Sequence, residues 1–178
     1  IFSEYQHGNQ MRFYDIISFS PPDQSLFEEL GFSKVFAIEK SRGAPPYSDA
    51  EFAYASSGKA ALQLLKSGAK ALIADTLELG HDIPQYLALD SVPAIIPLYG
   101  ILISSGFELA KSIRRTSRFY DQMRKLGVQC VFASMAPNSN YLLSSMQLNA
   151  LSLMLGKGRS NAASSNSIIP DIFGASHD

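Results

Sequence analysis

Four basic residues, Lys111, Arg114, Arg115 and Arg118, are spaced so that they share one face of a helix. At about 100° per residue they fall, together with Lys125, within an arc of roughly 100°. The apolar residues of the segment gather on the opposite side, at Leu109, Ile113, Tyr120 and Met123. Guanidinium forks suit phosphate oxygens, so the pattern predicts contact with a nucleic-acid backbone. An ordinary solvated helix face is the alternative, although Glu108 and Asp121 lie only at the edges of the basic arc.

A second kind of chemistry is offered by polar residues that follow apolar runs. Glu39, Asp75, Thr76 and Ser134 each stand where a strand is expected to end, which in a barrel is the usual active-site face. Glu39 and Asp75 are candidates for an acid/base pair. The alternative is structural, with both carboxylates capping loops or pairing with nearby lysines and arginines.

The sequence gives no support for metal binding or for nucleophilic catalysis. A first strand that feeds a barrel metal site has the form D-x-H-x-H, but here it reads Asp15-Ile16-Ile17-Ser18-Phe19. The three histidines are scattered at His7, His81 and His177, so we expect no metal and no cofactor bound by this chain. The single cysteine, Cys130, lies in an apolar run and is expected to be a buried thiol.

Short apolar runs alternate with segments of helical period, which is typical of βα units around a mostly parallel sheet. The predicted strands are 12–19, 34–39, 51–55, 69–75, 92–103 (or only its middle) and 128–134, and the predicted helices are 23–30, 58–67, 105–126 and 140–155. Gly31, Gly68 and Gly127 each follow a predicted helix and precede a strand, as helix-ending glycines do.

Two regions stay open between alternatives. Residues 80–90 form either one turn of helix or a short strand, and Ile168-Ile169 forms either a last strand or a plug against the core. The fold class is α/β. Either a reduced (β/α) barrel or an open doubly wound sheet accommodates the six or seven strands.

Length and composition bound the class of protein. The 178 residues, 46% of them hydrophobic, suit one domain over 11–178, with 1–10 as a leader or disordered extension. Apolar runs are too short for a membrane span, so we expect a soluble, cytoplasmic protein. A net charge of −1 does not favour nucleic-acid binding unless the positive charge is concentrated locally.

Three blocks in order resemble one family. They are 11–16 (MRFYDI), 102–136, in which ISSGFELAK is followed by RKLGVQCVFASMA, and 161–169, which ends in SSNSII. Through these blocks, and in outline through 141–156, the chain resembles ribonuclease P protein component 3, and the resemblance as a whole extends over about two-thirds of the chain. Leu143, Met146 and Ser167 depart from that family's pattern at an arginine and two prolines, so no role of that arginine carries over.

The resemblance implies an archaeal or eukaryotic protein with a metal-free barrel of the polymerase-histidinol-phosphatase type, cytoplasmic, or nucleolar if eukaryotic. It implies that ribonuclease P RNA, using Mg²⁺, is the catalyst that removes the 5′ leader from precursor tRNA. It also implies ribonuclease P protein component 2 as the partner. The basic residues of the long helix are then the expected RNA contacts, with Lys40 and Arg42 as weaker additions.

Two other functions remain open. The first is a small barrel hydrolase or isomerase that uses Glu39 and Asp75. The second is a protein-interaction scaffold that does not bind RNA.

Overall fold

The computed structural model describes residues 12–20, 25–38, 51–157 and 168–174. The strands are β1 (Tyr14–Ile17), β2 (Lys34–Ala37), β3 (Phe52–Tyr54), β4 (Ala71–Ile73), β5 (Ala94–Pro97) and β6 (Cys130–Ala133). The helices are α1 (Ser25–Glu29), α2 (Lys59–Lys66), α3 (Asp82–Leu89), α4 (Tyr99–Leu102), α5 (Gly106–Lys125), α6 (Ser145–Leu155) and α7 (Ile169–Ile172), with 3₁₀ turns at Ala55–Ser57 and Ser139–Tyr141. This is a mixed α/β fold, as the sequence predicts.

Every strand pair is parallel. β3, β4, β5 and β6 form a four-stranded sheet in chain order, and β1 pairs with β2. Two backbone hydrogen bonds join the two sheets just beyond β6: Met135 N–H donates to the Ile16 carbonyl at 2.9 Å, and Ser18 N–H donates to the Ala136 carbonyl at 3.0 Å. β1 therefore lies beside the carboxyl end of β6.

The apolar residues divide into two buried clusters. The helix-lined cluster lies between the strands and helices such as α2, α3 and α5, and includes Ile17, Leu72, Ile96 and Phe132. The strand-lined cluster draws on all six strands and on α7, through Tyr14, Ile16, Phe36, Ile38, Phe52, Ala71, Ile73, Ile95, Val131, Ala133, Met135, Ile169 and Ile172. The alternation of strand side chains between the two clusters follows from the period of two.

Glycine ends three helices as predicted. Gly31, Gly68 and Gly127 have φ of +82°, +100° and +83°, a region that other L-residues rarely adopt. After Gly127, the N–H of Val128 returns to the carbonyl of Met123 at 3.0 Å, which closes the helix before β6 begins.

The structure corrects two of the predicted elements and decides between the alternatives in the two regions that the sequence left open. The apolar run 92–103 is not one strand, because β5 ends at Pro97 and α4 follows. The last long helix begins at Ser145 and not near Asn140, since Ser144 and Gln147 form a capping box there. Residues 82–89 are helical, and Ile169 belongs to α7, a helical plug in the strand-lined cluster rather than a strand.

Candidate nucleic-acid interface

Helix α5 is fixed to the body of the protein by its apolar face. Thr116, Phe119, Tyr120 and Met123 are buried, and the ring of Tyr120 packs on Phe132 of β6 with centroids 5.0 Å apart. Ser117 Oγ donates to the carbonyl of Leu155 at 2.8 Å, which ties α5 to the end of α6. These contacts fix the rotation of α5, and with it the direction in which its opposite face points.

The opposite face carries the predicted basic residues. Lys111, Arg114, Arg115, Arg118 and Lys125 are all exposed, and we call Lys111, Arg114, Arg115 and Arg118 the basic face. The structure thus brings these four predicted residues together on one solvent-facing surface. Lys40 and Arg42, the weaker additions, lie outside the described residues.

Neighbouring carboxylates neutralise the basic face only in part. Lys111 Nζ lies 3.4 Å from Glu108, and Arg115 lies 4.0 Å from Glu78, in pairs whose side chains are all well exposed. Asp121 instead pairs with Lys157, off the basic face. Within 12–20, 25–38, 51–157 and 168–174, no carboxylate lies within 4.0 Å of Arg114 or Arg118. Exposed pairs such as these contribute little free energy, so a polyanion can displace them.

The positive charge is concentrated as nucleic-acid binding requires. Helix α5 contains six of the fifteen lysines and arginines but only two of the sixteen acidic residues. The near-zero net charge of the chain therefore conceals a strongly basic helix and an acidic remainder. Local potential, rather than net charge, governs encounter with a polyanion.

A cavity of about 500 Å³ lies beside the basic face. Its lining comes from the carboxyl ends of the strands and from α5, through Ser18, Tyr54, Asp75, Pro97, Met135 and Arg115. Arg115 therefore belongs both to the basic face and to the rim of this cavity. A second, smaller cavity of about 340 Å³ is lined by Asp75 and Glu78 together with Arg115 and Arg118.

The structure provides no geometric support for the proposed acid/base pair of Glu39 and Asp75. Asp75 accepts hydrogen bonds from both the N–H and the Oγ of Ser56, at 2.8 and 2.5 Å. It thus fastens the 3₁₀ turn after β3 to the end of β4, which is a structural role. Glu39 lies outside the described residues.

Asp15 is a polar residue whose importance the sequence reading missed. Its carboxylate, 1% exposed, accepts hydrogen bonds from Ser134 Oγ at 2.5 Å, Ser134 N–H at 2.8 Å and Ile16 N–H at 2.8 Å. Burial raises the pKa of Asp15 to about 6, while these hydrogen bonds act in the opposite direction. An acidic residue inside an otherwise apolar strand was the available signal. The carboxylate links β1 to the end of β6.

No cluster of three His, Cys, Asp or Glu side chains in the described part of the chain is arranged to hold a metal ion. Among the helices of the described ranges, none has both the length and the apolar character needed to cross a bilayer.

Comparisons with known proteins assign the chain to no family. The chain matches no protein-family model, and no curated protein matches it significantly.

Proposed function

We propose that this chain is a protein subunit of ribonuclease P, itself non-catalytic, which supports the catalytic RNA in removing the 5′ leader from precursor tRNA. The observation that carries the proposal is the basic face. Four cations project from one rigidly anchored helix, and two of them, Arg114 and Arg118, have no carboxylate in range among the described residues.

The order and packing of the strands support a reduced (β/α) barrel. The backbone bonds between β1 and β6 give a neighbour order β2-β1-β6-β5-β4-β3, and every strand contributes to one shared cluster, as barrel strands do. Between β2 and β3, the ring of Phe173 lies 4.4 Å from Phe36 and 5.4 Å from Phe52. In such a barrel, α7 and Phe173 would fill the space between β2 and β3 among the described residues.

The residues of the first strand support a non-catalytic role for this chain, with RNA as the catalyst. Apolar Ile17 and Phe19 stand where the D-x-H-x-H pattern has its two histidines, and both pack in the helix-lined cluster. Mg²⁺ would then be held by the RNA subunit. The partner would be ribonuclease P protein component 2, in the cytoplasm of an archaeal cell or the nucleolus of a eukaryotic one.

Reconstitution tests the proposal. The double charge reversal R114E/R115E should greatly reduce stimulation of precursor-tRNA cleavage by ribonuclease P RNA, with the other protein subunits present, because it replaces two phosphate-binding cations with anions. The matched control is K59E/K66E, which makes the same change in net charge on the exposed surface of α2. Circular dichroism checks that both variants fold.

Equal stimulation by R114E/R115E and wild type would remove the basic face from the proposal. If wild-type protein stimulates no ribonuclease P RNA, the proposed function is wrong as a whole. In that case, loss of a hydrolase or isomerase activity in D75N would favour an enzyme that uses the cavity beside Asp75.

A further inference from the structure

An aromatic side chain without a structural role stands at the beginning of the basic face. Phe107, the second residue of α5, is 81% exposed. Burial in a core would stabilise a phenylalanine, and single exposed apolar residues are common on protein surfaces. The position of this one on α5 is what distinguishes it.

Phe107 lies within the same arc of the helix surface as the cations of the basic face. At about 100° per residue it falls between the directions of Arg114 and Arg118 around the helix axis. At about 1.5 Å per residue, it precedes Lys111 by roughly 6 Å, Arg114 by roughly 10 Å and Arg118 by roughly 16 Å. An exposed ring is thus followed by cations at steps comparable with successive phosphates along an extended strand.

We propose that Phe107 is a stacking platform for an unpaired base of RNA whose following phosphates run along Lys111, Arg114 and Arg118. This inference rests on the proposed function and specifies which form of RNA meets the basic face. Proteins that bind single strands combine a cationic track with aromatic rings on which bases stack. A continuous duplex hides the faces of its bases, so Phe107 selects a single-stranded segment.

The charge around the ring favours RNA over a protein partner. The cations in the same arc as Phe107 would have to lose water beneath an apolar protein surface, whereas a polyanion satisfies them while a base covers the ring. The nearest carboxylate on α5, Glu108, is already engaged with Lys111. The occupant therefore needs both a planar apolar face and regularly spaced negative charge.

The test uses the full chain, a fluorescein-labelled oligoadenylate and a blunt RNA duplex of equal charge. F107A should weaken binding of the single strand about tenfold and leave duplex binding unchanged, because base–aromatic stacking is lost while the cations remain. The matched control is L89A, which removes an equally exposed apolar side chain, 82% exposed, from α3. L89A should bind both RNAs as wild type does.

F107W provides a second measurement. The chain contains no tryptophan, so the substituted residue is a unique fluorescent reporter. F107W should keep the affinity of wild type, and its emission should be quenched by oligoadenylate, because stacking brings the indole into contact with adenine. F107L, which keeps apolar bulk without an aromatic face, should behave like F107A.

Three results would overturn the proposal: single-strand affinity in F107A equal to that in L89A, equal loss for the single strand and the duplex, or unquenched emission from F107W when RNA is bound. If any of these is found while R114E/R115E still abolishes binding, the stacking inference fails and the RNA-binding function survives. If the wild-type chain binds neither RNA, both fail.

Discussion

Replacing Asp15 with asparagine should change how the stability of the protein depends on pH. Burial raises the pKa of this carboxyl from 3.8 to about 6, so the native state holds the proton more tightly than the unfolded chain does. The free energy of unfolding therefore falls as pH rises through this window, and stays lower above about pH 6. A difference of about 2 pKa units corresponds to about 3 kcal/mol.

Asparagine cannot titrate but retains most of the hydrogen bonds. Its Oδ1 can accept from the N–H groups of Ile16 and Ser134, and its Nδ2 can donate to Ser134 Oγ, the reverse of the native bond. The free energy of unfolding of D15N minus that of wild type should thus rise by about 2.5 kcal/mol between about pH 4 and pH 7, which is most of the full effect. Taking this difference cancels the titration of every other group.

Urea unfolding at a series of pH values, followed by circular dichroism, measures the effect. S134A provides the internal check, because it removes a hydrogen bond that lowers the pKa of Asp15 and should move the loss of stability to higher pH. A difference between D15N and wild type that does not vary with pH would contradict the raised pKa of Asp15, since the carboxyl would then titrate alike in the native and unfolded states.

Three further predictions concern single residues. G31A should destabilise the protein more than G127A. Both glycines have φ near +82°, so both substitutions incur about 1 kcal/mol of backbone strain. Only a Cβ at Gly31 would also lie 2.6 Å from Ser145 Oγ. Equal losses in urea unfolding would contradict the predicted clash. Burial raises the pKa of Cys130 to about 12, so the thiol should resist thiol reagents in the native protein at neutral pH and react only when the protein unfolds. Fast labelling without urea would contradict its burial. E78A should raise RNA affinity about twofold, as it frees Arg115 from an exposed ion pair, and a weaker affinity in filter binding would contradict that reading.

The basic face could be predicted from the sequence because local periodicity determines it. Over the 20 residues of α5, the separation of Tyr120 and Met123 from Arg114 and Arg118 leaves a single rotation that buries the apolar side. The glycines that end helices were equally predictable, since positive φ is a local requirement.

Contacts between distant segments could not be predicted in the same way. Asp15 and Ser134 are 119 positions apart, and nothing local indicates that β1 lies beside β6. The start of α6 was missed because Asn138 and Ser144 both offer capping side chains, and only Ser144 has a glutamine three residues later to complete the box. The extent of the strand within 92–103 was left open because a continuous apolar segment suits a buried strand or a buried helix equally well.

The most direct test of the account is the salt dependence of binding to ribonuclease P RNA. We expect the logarithm of the association constant to fall linearly with the logarithm of salt concentration for the wild-type chain. R114A/R118A should bind more weakly and with a slope shallower by about 1 to 2, because two phosphate contacts are lost, while K59A/K66A should keep the wild-type slope. Identical slopes for all three proteins would contradict the claim that the basic face of α5 binds the RNA backbone.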